Sequence, residues 1–344
     1  MKTLKAILLT GAMLAAVAGG GTVAAASDQV YRWQTMSQSS TDMVFAIAAT
    51  ELLRDKLGQK AQITTGRPLV RQAVDAAKKD LEFLTTASSV NHFMRNGINM
   101  YAKMGDAPEL FQNLRMILNY PLGAYHMVVW ADSGIKDMKE LKGKRVFLGP
   151  PGGAATVTAV QMLDAATGYK AGIDFTQLNV DWNSGMQAFQ DRQADAHMSP
   201  KALPDPAIVQ LATLGKIRLL SLPEQAMEAD SIKKAMAIPG RVVTEIPKDL
   251  YGANQVNEEN IRTLQTMVGL GTHKWMSEEV IYNVTKTIME NNSALKAEAQ
   301  WMGVIKPENA LAEMNAPLHV GAYRYYKERG VAIRDELVPP EAKK

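Results

Sequence analysis

Short apolar runs alternate with helix-period segments along the first third of this chain, and the series then starts again. Residues 30–35 alternate and predict a strand; a polar run follows (Ser37-Gln38-Ser39-Ser40-Thr41-Asp42), and residues 43–57 predict a helix ending at Gly58. Residues 60–64 predict a second strand. A turn at Thr65-Gly66-Arg67-Pro68 leads into a helix over 69–78, a third strand over 81–84 and a helix around 90–94. Strands at 114–118 and 125–131 come next. The second series has strands at 145–148, 175–180, 194–198 and 217–221, with helices at 154–166 and 184–191. Strands separated by helices imply parallel sheets with right-handed crossovers. The chain therefore reads as α/β, two similar halves with a ligand cleft between them. Ligands on such sheets sit beyond the carboxyl ends of the strands, where the helices begin.

The extended segment at 241–246, inside the turn-rich stretch 238–254, reads as the return crossing. Helices follow at 258–270, 277–291 and 321–329. The expected division is residues 27–122 with 240–344 as the first domain and 123–239 as the second.

The first residues point to a place outside the cytoplasm. Lys2 and Lys5, an apolar stretch over 6–17, the glycines at 19–21 and Ala24-Ala25-Ala26 form the three parts of a secretory signal, predicting cleavage near Ala26 and a periplasmic product. The apolar core is too short to span a bilayer. Cysteine is absent, which removes disulfides, thiolate metal sites, cysteine nucleophiles and a lipidated N-terminal cysteine. Loss of Lys2 and Lys5 leaves 36 basic against 35 acidic residues, so charge points to no nucleic-acid partner. Metal-binding histidine spacings, phosphate loops and nucleophile elbows are missing as well, and no cofactor or catalytic residue is expected. The 20 methionines read as core filling.

Particular stretches carry a family resemblance. SGIKDMKELKGKRV at 133–146 resembles the domain-two opening of many periplasmic binding proteins. IPKDLYG at 246–252 and WMSEEVIY at 275–282 are similar to later segments of one branch. PLHVGAYRYYKERGV at 317–331, with Pro317, His319, Gly321 and Tyr323, closely resembles the C-terminal signature of the TAXI-type solute receptors of TRAP transporters. That resemblance covers nearly all of the mature chain. It implies a monomeric receptor that captures a small carboxylate or amino acid and delivers it to an ion-gradient-driven TRAP permease. His319, as part of the signature, reads as structural.

The pocket loops depart from that pattern. The glycine-serine-glycine-threonine loop of the family reads Gly152-Gly153-Ala154-Ala155 here, with Thr156 one place later, so an anion would be held mainly by backbone N–H groups. In the first loop, Ser39, Thr41 and Asp42 are candidates; Asp42 either caps the helix or faces the ligand. In the second, Arg67 and Arg71 stand where glycine, serine and asparagine are usual, and a guanidinium there would read a carboxylate. Ser88 represents the third loop. Trp182 and Asn183 offer an apolar wall and polar groups in the second domain, and Tyr120 lies near the first crossing, lining the cleft or packing at the hinge. The expected function is a solute-binding receptor for an organic acid read by arginine. The alternative is a ligand sensor signalling to a membrane partner.

Overall fold

The computed structural model describes residues 29–38 and 40–343; the expected signal segment and Ser39 lie outside the described residues. Ten strands form one continuous mixed sheet. The first series is β1 (Val30–Gln34), α1 (Thr41–Leu57), β2 (Lys60–Thr64), α2 (Leu69–Ala77), β3 (Phe83–Ala87), α3 (Ser88–Asn96) and the short α4 (Ala107–Phe111). Then come β4 (Leu114–Trp130), β5 (Arg145–Phe147), α5 (Ala154–Thr167), β6 (Thr176–Gln177), α6 (Trp182–Gln190), β7 (Ala196–Lys201), α7 (Pro206–Leu214), β8 (Ile217–Leu219), α8 (Asp230–Met236) and β9 (Arg241–Ile246). The chain closes with β10 (Ile261–His273), α9 (Glu278–Glu290), α10 (Asn292–Glu298) and α11 (Val320–Glu328). Among the described residues no helix is long and apolar enough to cross a membrane.

The strand order β2-β1-β3-β10-β4-β7-β5-β6 places β10 and β4 in the middle, side by side and antiparallel. Each runs from one lobe into the other. One core gathers buried residues up to Leu122 and again from Val268 onward. Two further clusters take residues from Ala124 to Leu264. The strands expected separately at 114–118 and 125–131 are thus one strand of 17 residues that bridges the lobes.

The return path differs from the sequence reading. Residues 258–270 were expected as a helix, but β10 occupies most of that range, and the crossing expected over 238–254 falls at Thr266 and Met267 instead. The reason is burial on both faces: nearly every side chain of β10 is covered, so the two-residue alternation of a strand is erased. Gly269 fits that placement, since a Cβ there would stand 2.2 Å from the Leu118 carbonyl oxygen. At the crossing the ladder slips. Thr266 pairs with Gly123 and Met267 with Pro121, leaving Leu122 as the extra residue of a bulge. Gly123 has φ 131°, and a Cβ there would lie 1.7 Å from the Lys201 carbonyl oxygen, so only glycine fits.

The two lobes repeat one another at a constant spacing. Arg32 at the start of β1 gives its backbone N–H and guanidinium to Glu82, and also donates to the Lys79 carbonyl. Arg145 at the start of β5 does the same with Asp195 and the Arg192 carbonyl. Lys79 and Arg192 both have positive φ, 67° and 58°. Taking 145 less 32, 192 less 79 and 195 less 82 gives 113 each time. The same interval relates the starts of α1 and α5 (Thr41, Ala154), of α2 and α6 (Leu69, Trp182), and of β3 and β7 (Phe83, Ala196). It also relates the strand registers Trp33 to Phe83 and Val146 to Ala196.

Candidate functional site

Five helices begin at the cleft between the lobes. α1, α2 and α3 start from the first lobe and α5 and α6 from the second; residues of all five first turns line the cleft. Only α6 has a side-chain cap, from Asp181, which accepts from the N–H groups of Asn183 and Ser184. The N-cap positions of the others (Ser40, Pro68, Ala87, Gly153) make no side-chain capping bond. Uncapped first-turn N–H groups and the positive dipole ends point to anionic partners.

The cleft has a deep and an outer compartment, of about 60 and 350 Å³, that share Met36, Ser37, Leu69, Ala154, Ala155 and Trp182. The floor of the deep one is one face of β7. His197, Ser199 and Lys201 stand two residues apart along the strand, so their side chains point the same way. All three are buried. Lys201 Nζ lies 3.9 Å from an Asp205 oxygen that already accepts from the N–H groups of Ala207 and Ile208. His197 stacks on Phe147, with ring centroids 5.0 Å apart. Burial, with Lys201 close by, pushes its imidazole down to about 3, so it is neutral. Behind it His126 donates from Nδ1 to the Ala124 carbonyl and accepts at Nε2 from the Tyr251 hydroxyl; burial pushes it down to about 4.

Eleven buried side-chain polar atoms lack a partner among the described residues, and four of them are both ring nitrogens of His197, Ser199 Oγ and Thr41 Oγ1. These four belong to residues lining the deep compartment, and the other seven do not. Buried polar atoms in folded proteins are nearly always paired, so such a group marks a place for a bound molecule or water. Most other lining atoms are apolar. Trp182 forms the wall common to both compartments, set edge-on to Phe147 at 5.6 Å. Among the described residues no cluster of three or more histidine, aspartate or glutamate side chains is placed to hold a metal.

Sequence comparison supplies the kinship. A model of the NMT1-like family matches residues 35–330, most of the chain. This chain belongs to the NMT1-like family. Its fold is that of periplasmic binding proteins: the binding-protein component of a phosphonate ABC transporter from Pseudomonas aeruginosa is 12% identical over 80% of each chain, with a TM-score of 0.50. PhnD1 of Prochlorococcus marinus, solved with methylphosphonate, is 9% identical over 80% of this chain and 91% of its own, at TM-score 0.48. A TRAP periplasmic solute-binding protein from Desulfovibrio desulfuricans, with bound sn-glycerol-3-phosphate, is 11% identical over 80% and 79%, at 0.44.

In this NMT1-like protein the expected site residues divide. Thr41, Gly153, Ala154, Ala155, Trp182 and Asn183 line the cleft. The arginines do not. The Arg67 guanidinium is turned along the surface to pair with both carboxylate oxygens of Asp75, and Arg71 is exposed on α2 and lines neither compartment. Asp42 is neither the N-cap nor a cleft group. It is fully buried, accepting from the Met36 N–H and the Thr85 hydroxyl, and burial raises its carboxyl above the usual range. Ser88 donates to the Glu313 carbonyl, while its neighbour Ser89 takes the lining position. Tyr120 packs between Phe45 and Trp301 in the core, and Thr156 donates back to the Pro150 carbonyl. Gly152 turns the loop at φ 73° without reaching the cavity wall. Trp182 and Asn183, expected in a loop, form the first turn of α6.

The β7 row was not singled out from the sequence. Its signal was available as the period-two spacing of His197, Ser199 and Lys201, but the strand expected over 194–198 stopped before Lys201. His319 is structural: it accepts from the Gly321 N–H at Nδ1 and reaches the Met276 carbonyl through Nε2, far along the chain from every cleft-lining segment.

Proposed function

We propose that this protein is an exported solute receptor that encloses a small organic anion between its lobes and hands it to a membrane permease. The observation that carries this reading is the convergence of five helix starts, four without side-chain caps, on a cleft whose one buried cation is Lys201. Positive dipole ends from both lobes gain from one bound negative charge only when the lobes close on it, which couples capture to closure. Among the described residues lining the cleft, His197 makes no hydrogen bond to a hydroxyl or a carboxylate, as befits binding rather than turnover.

The run at 317–331 favours a TAXI-type receptor serving a TRAP permease, and the leader-like residues 1–26 favour a periplasmic location. The phosphonate binder from Pseudomonas aeruginosa extends the class of anions to be tried beyond carboxylates. A thermal-shift panel of small carboxylates, phosphonates, sulfonates, amines and neutral analogues tests the reading. An anion present at 100 times its Kd stabilises by ~2.7 kcal/mol and raises Tm by several degrees. Shifts confined to amines or neutral compounds would remove the anion reading.

A further inference from the structure

Resting on that receptor reading, we infer that the solute is a monoanion with a flat apolar body, an aromatic monocarboxylate, seated with its charged end on the β7 row and its ring against Trp182. Charge balance is the first reason. Of the described side chains lining the two compartments, Lys201 alone is cationic, its charge already partly met by Asp205 at 3.9 Å, and Asp181 at the outer rim adds a negative charge. Arg67 pairs with Asp75 outside the cleft. Arg241, buried behind α5, gives one nitrogen to Gln161 and the Ala235 carbonyl and another to the Ala154 carbonyl. A second carboxylate on the ligand would lie in the outer compartment without a cation and near Asp181, where desolvating it is costly.

The second reason is the cluster of unsatisfied polar atoms inside the cleft. Ser199 Oγ, Thr41 Oγ1 and both nitrogens of His197 are unpartnered, buried and gathered at the deep end. A carboxylate there accepts from hydroxyls, ammonium and a neutral imidazole N–H. The remaining shared wall is Met36, Leu69, Ala154, Ala155 and Trp182. Two alanines at the start of α5 line the same two compartments as the indole, and Phe147 packs edge-on against that indole. A flat ring fills such a slot, with methionine sulfur as a favourable neighbour.

Calorimetry on the purified protein with phenylacetate, acetate, glutarate, methylphosphonate and phenylacetamide decides the matter. We expect phenylacetate to bind at least 30-fold more tightly than acetate, glutarate, methylphosphonate or phenylacetamide. Lys201→Met should remove the preference over phenylacetamide, and Trp182→Ala the preference over acetate. Glutarate or methylphosphonate binding more tightly than phenylacetate would overturn this inference and leave the anion receptor standing. No binding by any anion would take both away. Because the ranking is read on the unaltered protein, a variant that fails to fold does not blunt it.

Discussion

Equivalent positions in the two lobes carry different chemistry. Where α1 begins with Thr41, α5 begins with Ala154; where α2 begins with Leu69, α6 begins with Trp182; and 113 residues after Ser88 stands Lys201. The framework around them is unchanged: the same arginine-to-acid staple holds the first and third strands of each series. Both lobes contribute uncapped helix starts and hydroxyls to the cleft, while the second alone adds the cation, the imidazole and the tryptophan wall. On the proposed reading, selectivity is written mainly onto one half of a repeated scaffold, and the general attraction for anions is shared by both.

That contrast can be broken at several points. The largest effect is expected where the halves meet. Gly123→Ala should cost more than ~3 kcal/mol of stability, because the new Cβ has no space beside the Lys201 carbonyl and φ is unfavourable for it. Urea denaturation should show the loss in both lobes together, and a loss confined to one lobe would mean that the crossing does not couple them. Next comes the charge. Lys201→Met should weaken binding of an anionic ligand at least 30-fold, about 2 kcal/mol. The matching Ser88→Ala should change Kd by less than ~3-fold, since that hydroxyl is committed to the Glu313 carbonyl. Similar effects at both positions would erase the asymmetry.

His197 sharpens the comparison through pH. Its folded pKa, about 3, lies below the ordinary value of 6.5, so below pH 6.5 the unfolded chain takes up a proton that the folded protein refuses. Stability should therefore fall as pH drops from 6.5 towards 4, and His197→Phe should recover roughly 1–2 kcal/mol of that loss at pH 5. Identical pH profiles for the two proteins would place the loss elsewhere. Trp182→Ala should weaken binding of the aromatic ligand about 30-fold, against ~3-fold or less for the equivalent Leu69→Ala. The smallest effect should also be the most even. Glu82→Gln and Asp195→Asn should each cost ~1 kcal/mol or less and agree within ~0.5 kcal/mol, because both staples are partly exposed. A large difference between them would show that the repeat is not energetically equivalent.

The sequence disclosed the repeating α/β plan and the helices that begin at the cleft. Those features rest on local signals: glycine stops, polar turns and apolar periodicity. It misassigned β10 because a strand covered on both faces has no alternation to read. It pointed to Arg67 for the cleft, and that side chain turns away for a different reason. Arg67 sits beyond a strand end, as a ligand-reading arginine would, but Asp75 lies eight residues on, one helical face away, and captures the guanidinium. Lys201 showed no such advertisement, since its burial depends on Gly123 and β4, far away in the chain.

The tight approach of Gly123 to the Lys201 backbone has a mechanical consequence. The strand that senses the solute's charge is in van der Waals contact with the pivot about which the lobes would turn, with no lever between them. A pull on Lys201 is thus felt at the fulcrum itself. In such a device the sensing element and the latch are a single part, and a solute that fails to engage the lysine also fails to set the latch.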